Sequence, residues 1–549
     1  MNKNNKQNFD NIVECLIDSG DTLSSDHDNV HNVNADELYY DDYNNVAPAV
    51  DPVLEQKKCK EEYIASFLPI TRAELKKLIP LVIIFSLLTF IYSAWRNCKD
   101  AFFYEIKNQI NHFLPVETIQ VSKVISLLST FFVLGLYTKF KPHLTRRKTF
   151  NISLFIFLVL LSVFLLILNK RNDYYALDFY ETMRSSGTKF NNIFSAIALW
   201  PAVIFYVFVE LWGTFVLGIF FWMLIHVLYK KKETKRIYPL LMIGSSLGNI
   251  ASGATLIAFP KNQGGKIFIN FEVILPITLV AIITILLIYN YNELNTTEQE
   301  EAHTKPEQEE AHTKPEEKNV SVLESLSFVL KTPYLLYIGG MILGYNLYMG
   351  FLENIFKITL SECDIERNCI LTTGKVLPIQ SIGIGVLSLL LVLTSPLIDK
   401  WAQWTSRALS TPIISLIGIV LFSIPIFCKY AEINIGLNTA VIIAFFGLAI
   451  IIPLKATKYV FFDTTKEEAY KIGTEYEKTT GKVAIDSICS RLGKGLSSIT
   501  ISILSPFLKN SPNQSILWIF LSFCACLLFL ASVLKLIPLY QEKNNRKQP

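Results

Sequence analysis

Four stretches of the sequence place ionisable side chains inside long apolar runs. In IYSAWRNCKDAFFYEIK, residues 91–107, Arg96 and Asp100 stand four apart and can pair on one helix face. Lys99 projects a second positive charge towards the same region. In FYVFVELWGTFVLGIFFW, residues 205–222, Glu210 is far from either end, and its side chain is too short to snorkel to water. In GYNLYMGFLENIFKITL, residues 344–360, Glu353 precedes Lys357 by four, the favourable order for a helical pair. Asn346 and Asn354 add polar groups there. In the fourth stretch, 451–498, Lys455 and Lys458 close one apolar run, Lys482 and Asp486 open the next, and Arg491 and Lys494 follow among small residues.

An ionisable group deep in a membrane span costs about 2.5–3.5 kcal/mol even on the lenient insertion scale, so such groups face a cavity or a partner. Seven cations meet this condition: Arg96, Lys99, Lys357, Lys458, Lys482, Arg491 and Lys494. The nearby acids are Asp100, Glu210, Glu353 and Asp486. Excess positive charge in a membrane predicts a multiply charged anionic substrate. A polyphosphate fits, because several Lys and Arg can meet separate phosphoryl groups, whereas inorganic phosphate or a dicarboxylate needs fewer. GKGLSS at 493–498 is not a phosphate-binding P-loop.

The elements that must carry these residues follow from composition. The 549 residues are 51% hydrophobic and only 18% charged, with mean hydropathy +0.36. A soluble chain carries about 25% charged residues, so a soluble multidomain protein is excluded and a polytopic all-α membrane protein remains. The net charge of +4 is not gathered on a basic face, and no nucleic-acid partner is expected. Twelve spans are predicted, at 79–98, 119–138, 149–168, 198–228, 238–259, 271–291, 333–356, 376–398, 409–429, 434–458, 482–506 and 514–538. Basic residues concentrate in alternate loops, at Lys139–Lys148, Lys230–Arg236, Lys466–Lys478 and the C-terminus. By the positive-inside rule this sets both termini in the cytoplasm. The loop at 169–192 fits least well, since it holds Lys170, Arg171, Arg184 and Lys189 yet is counted outside.

The expected organisation is a polar tail at 1–70, too rich in Asn and Asp to form a core, a six-helix half at 71–291, a cytoplasmic linker at 292–331, a second six-helix half at 332–540 and a tail at 541–549. The linker carries EQEEAHTKP twice in tandem, which reads as a solvated duplication. Two six-span halves around a mid-membrane site resemble the major-facilitator layout. No metal or cofactor is expected. Cys524 and Cys526 form a C-x-C inside an apolar run, where core packing is the plain reading, and the seven histidines form no cluster of the kind a membrane enzyme would need. Cys363 and Cys369 share the loop after the seventh span, predicted outside, and their separation permits a disulfide.

Five stretches together resemble the nucleotide transporter (ATP/ADP translocase) family of plastids, rickettsiae, chlamydiae and microsporidia: R-x-x-KDA at 96–101, ELWG at 210–213, E-x-x-x-K at 353–357, KYVFFDTTKEEAY at 458–470, and GKVAID at 481–486 with LGK at 492–494. The similarity covers about 70–540, and KYVFFDTTKEEAY is its most specific part. The Asn-rich tail and divergent loops look most like a microsporidian member. The resemblance implies twelve spans and exchange of ADP, often with phosphate, for external ATP, which in a parasite means host ATP. It places Lys99, Glu210, Glu353 and Lys482 where the family has transport-critical charges, and Lys458 within the FFD motif. Two departures bear on base selectivity: Gly350 stands where an Asn is usual, and SICSRLGK at 487–494 replaces an Asn-Pro stretch.

On that footing the triphosphate would sit between the halves on Lys99 and the eleventh-span cations, with Lys357. Trp95 or Tyr345 would stack on the base. Glu210 and Glu353 would hold the empty site together until phosphates compete for their lysines, which gives obligatory exchange. The protein would work as a monomer in a parasite plasma membrane or, alternatively, a mitosome. Proton-coupled uptake of nucleotides or another organic anion is the nearest rival, with Glu210 as proton site. A membrane-embedded transferase and a non-transporting receptor are the readings from other classes.

Overall fold

The computed structural model describes residues 72–107, 115–140, 146–168, 170–187, 191–228, 231–263, 266–303, 328–365, 372–401, 403–431, 439–474, 485, 489–508 and 513–545. The expected tail 1–70, most of the linker, Lys482, Asp486, Cys369 and the side chain of Cys363 lie outside the described residues.

The chain is helical almost throughout. The first half runs α1 Arg72–Lys107, α2 Pro115–Phe140 and α3 Arg146–Leu168, then two short helices, α4 Leu177–Ser185 and α5 Asn191–Ala198. It continues through α6 Trp200–Leu211, a π-helical segment Trp212–Phe220 and α7 Phe221–Leu228. Helix α8 Lys231–Ala258, a hairpin of β1 Pro260–Gln263 and β2 Lys266–Ile269, and α9 Phe271–His303 complete it. The second half runs α10 Pro333–Ile365, α11 Thr373–Trp401, α12 Trp404–Tyr430, α13 Thr439–Thr457, a π-helical segment Lys458–Phe462, α14 Asp463–Ile472, α15 Ser490–Leu504 and α16 Asn513–Asn545.

Among the described residues, 11 helical segments are long and apolar enough to cross a membrane. The expected eleventh span, 482–506, is described only at Ile485 and from Cys489 onwards, and α15 with its 15 residues falls short of that length. Two loops expected to be irregular hold structure. The third–fourth loop is largely α4 and α5, and α9 continues to His303, well into the expected linker.

Side-chain type explains which surface each helix shows. Leu128, Phe132, Phe155, Leu166 and Leu287 are exposed, as suits residues that face lipid rather than water. Helices α1 and α10 are mostly buried, whereas α3 is the least buried of the candidate spans. Each half builds its own apolar core. One gathers Leu78 to Tyr289 around Trp95, Phe102, Phe205 and Trp212, and the other gathers Val329 to Leu536 around Tyr348, Phe422, Trp518 and Phe529.

The two halves meet along seams of small residues. A Cβ at Gly385 would lie 2.7 Å from the Ser246 carbonyl oxygen, and one at Gly253 would lie 2.6 Å from that of Pro378, so α8 and α11 touch backbone to backbone. Helices α2 and α15 form the opposite seam, where a Cβ at Gly495 would run into the Leu127 side chain.

Candidate functional site

The described charged residues among those singled out from the sequence converge between the halves, but not in the pairs that sequence spacing suggests. Asp100 on α1 does not pair with Arg96. Its carboxylate accepts from Lys357 on α10 at 2.8 Å, a bond that crosses from one half to the other. Glu353 does not pair with Lys357 one turn on; it meets Lys455 of α13 at 2.6 Å. The physical reason is burial. A partner from a facing helix supplies the counter-charge from the direction in which the side chain already points, while an i,i+4 pair must lie along its own helix surface.

Glu210 is the hub. One carboxylate oxygen takes Lys99 in a close ion pair, and the other lies 3.7 Å from Arg491 on α15, so three helices from both halves meet at one acid. Lys99 also stands 3.9 Å above the ring of Tyr206, one turn before Glu210 on α6. The chain leaves α-helical geometry just after Glu210, at the π-helical segment that starts at Trp212. Gly213 is needed there, because a Cβ would press to 2.5 Å of the Tyr92 ring. The second π-helical segment begins at Lys458, so both irregular turns adjoin charged site residues, as single π turns in helices often do. Apart from the two glycines of GTFVLG, no sequence signal marked the first.

KYVFFDTTKEEAY, the longest stretch behind the resemblance, is spent mainly on architecture. Lys458 pairs with Asp463 at 2.8 Å, Glu468 takes Arg407 of α12 in a two-pronged pair at 3.0 Å, and Trp404 donates to the Thr465 carbonyl at 3.1 Å. These bonds fix the turn by which α13 leaves the bundle.

Arg96 and Lys494 have no carboxylate within 4 Å among the described residues. Arg96 lies beside the Tyr92 ring at 5.9 Å. Lys494 is exposed although Gly493, Ser497, Ser498 and Ile501 around it on α15 are buried, so it looks into the space between the halves and not into lipid. Lys123 of α2 and Lys455 of α13 also belong to the cluster. Neither is marked as a site residue by the sequence patterns above, although a lysine in the early turns of an apolar span, as Lys123 is, was a usable signal. Eight cations, Arg96, Lys99, Lys123, Lys357, Lys455, Lys458, Arg491 and Lys494, therefore gather with four carboxylates, Asp100, Glu210, Glu353 and Asp463, among the described residues.

The site is dry at one end and wet at the other. Towards the end where α1 finishes at Lys107, Gln120 on α2 donates to Asn354 on α10 at 2.9 Å, Tyr104 donates to the Lys357 carbonyl at 3.2 Å, and Asn192 donates to the Ser502 carbonyl at 3.1 Å. Gln120 is 0% and Asn354 1% exposed. Towards the opposite end the side chains of Lys458 and Asp463 are 28% and 25% exposed. The halves are thus closed on each other at the Lys107 end. Two aromatic residues expected to stack on a base offer no free face. Trp95 is wholly buried, donates to Thr278 Oγ1 at 2.8 Å and packs against Phe208 and Trp212, and Tyr345 packs between Phe462 and Phe529.

A two-half helical bundle that closes over a buried, cation-rich centre has the form of a major-facilitator-like membrane carrier. Solved structures share this form. A D-xylose–proton symporter superposes with TM-score 0.52 at 14% identity, over 83% of this chain and 96% of its own. A bacterial homologue of the iron transporter ferroportin, inward-facing, gives 0.52 at 12% identity over 84% and 98%. The family model described as TLC ATP/ADP transporter matches residues 54–540, and the chain belongs to that family. ADP,ATP carrier protein 1 of Chlamydia pneumoniae is 26% identical over 454 residues, covering 78% of this chain and 85% of the relative. ADP,ATP carrier protein 3 of Rickettsia conorii is 25% identical, covering 86% and 96%. The chloroplastic ADP,ATP carrier protein 1 of Arabidopsis thaliana is also 25% identical, covering 77% and 67%.

Proposed function

We propose that this chain is an ATP/ADP antiporter that works by alternating access, importing host ATP into an intracellular parasite in exchange for ADP. Family membership supports the substrate pair, and one observation supports the chemistry: the surplus of cations over carboxylates between the halves. Cations in surplus at a membrane-buried site are costly until a polyanion arrives, and a nucleoside triphosphate brings up to four negative charges on one chain of phosphoryl groups. In this reading Lys99, Arg96, Lys357, Lys458, Lys482, Arg491 and Lys494 receive the phosphates. Glu210, Glu353, Asp100 and Asp486 hold the cations while the site is empty.

The pairings in the structure give this reading its mechanism. Each phosphoryl group that enters competes with a carboxylate for a lysine or arginine. Displacing Glu210 loosens Lys99 from Arg491 and hence one half from the other. Displacing Asp100 from Lys357 loosens the end near Lys107, which the loop charges assign to the outside. An empty carrier keeps these pairs and rocks slowly, so exchange is favoured over one-way flux. Other purine nucleotides and phosphate are candidate counter-substrates, the monomer is the working unit, and the plasma membrane, or alternatively a mitosome membrane, is the site of action.

The test is uptake of labelled ATP by bacterial cells that express the full chain. Preloaded label should leave faster when unlabelled ADP is added outside. Uptake that follows the proton gradient and ignores ADP would replace exchange with symport.

A further inference from the structure

One cation at the site belongs to none of the ion pairs among the described residues and to none of the family-like stretches. Lys123 lies about 12 Å along α2 from its start at Pro115, a rise of 1.5 Å per residue. The lipid-facing residues of α2 are Ile125, Leu128 and Phe132, all exposed, while Ile119, Ser122, Ser126 and Thr130 are buried on the opposite side. At 100° per residue Lys123 falls in the middle of the buried side, yet it is partly accessible. Its accessible area therefore opens into the space between the halves. Its neighbours on the same face reach across the seam: Gln120 bonds Asn354 at 2.9 Å, and Leu127 packs against Gly495. Lys99, Asp100, Glu353 and Lys357 are within electrostatic range. None of the described carboxylates is within 4 Å of its ammonium.

Depth distinguishes Lys123 from the other two cations without a carboxylate. Its backbone is almost one turn further from the Lys107 end than the Gln120–Asn354 bond, and its side chain leans back along α2 towards that end and the Asp100–Lys357 pair. Arg96 and Lys494 stand on α1 and α15, which run towards that end, so their side chains lean away from it. A polyphosphate that enters from the wet end reaches Lys123 last, with its terminal phosphoryl group.

Resting on the reading as an ATP/ADP exchanger, we propose that Lys123 is a specificity-determining residue whose ammonium receives the terminal phosphoryl group of a nucleoside triphosphate. A diphosphate held in the same register ends one phosphoryl group short and leaves Lys123 empty-handed.

The experiment measures inhibition constants for unlabelled ATP and ADP against labelled nucleotide uptake in cells expressing wild type, Lys123→Gln or Lys123→Arg. The ratio of the two constants within each variant is independent of expression level. The proposal expects Lys123→Gln to weaken ATP about tenfold or more relative to ADP, the worth of one charge-assisted hydrogen bond, and Lys123→Arg to restore the ratio. Equal weakening of ATP and ADP, or no change, overturns it while exchange by the wild type stands. A wild type that exchanges neither nucleotide sinks the functional reading instead. The purified wild-type protein gives a check that needs no variant. At saturating occupancy ATP should protect Lys123 from amine acylation, read by peptide mass, and ADP should not; equal protection overturns the proposal.

Discussion

The Asp100–Lys357 pair offers the sharpest test of how the two halves hold together. It joins α1 to α10 at 2.8 Å, with side-chain exposures of only 7% and 10%, so water screens it little. Removing one partner of a buried pair costs roughly 3–5 kcal/mol, because the other charge is left without compensation. Asp100→Asn should strand Lys357, whose nearest remaining acid is Glu353, already held by Lys455 at 2.6 Å. Lys357→Gln should strand Asp100, whose second oxygen has no partner even now. The double variant strands neither charge and keeps the shape of both side chains. Each single variant should therefore lower the thermal unfolding midpoint of the detergent-purified protein by several degrees, and the double variant should recover most of the loss. If the double variant loses the sum of the two single losses, the residues are not coupled and the argument for a cross-half latch fails.

Two further predictions rest on separate features. Lys494→Gln, which removes an exposed cation with no carboxylate within 4 Å among the described residues, should raise the transport KM for ATP about tenfold and leave the melting midpoint unchanged, whereas Lys458→Gln should cost stability as well by releasing Asp463. Gly385→Val places a Cβ 2.7 Å from the Ser246 carbonyl oxygen, so it should destabilise the protein by about 1–3 kcal/mol and slow exchange at saturating substrate, measured as a fall in maximal rate.

Much of this protein was legible before any fold was known. Apolar runs long enough for a bilayer fixed the helices, since backbone groups in lipid must be satisfied within the segment. The cost of burying charge singled out Arg96, Lys99, Glu210, Glu353, Lys357 and Lys494, because chains do not place such groups in spans without use. The length of α9 and the helices α4 and α5 were not legible, since polar loops carry no periodicity that separates helix from coil.

The partners were not legible either. Spacing along one helix suggested Arg96 with Asp100 and Glu353 with Lys357, and both suggestions followed the only geometry a sequence contains, that of near neighbours. Tertiary structure chose Lys357 for Asp100, Lys455 for Glu353, and Lys99 with Arg491 for Glu210. It buried Trp95 and Tyr345 and brought Lys123 to the seam. The sequence determined which charges the membrane must house. Only the packing of the two halves decided which of them neutralise each other and which have no carboxylate beside them among the described residues, because ion pairing depends on distances of a few ångströms between helices far apart along the chain.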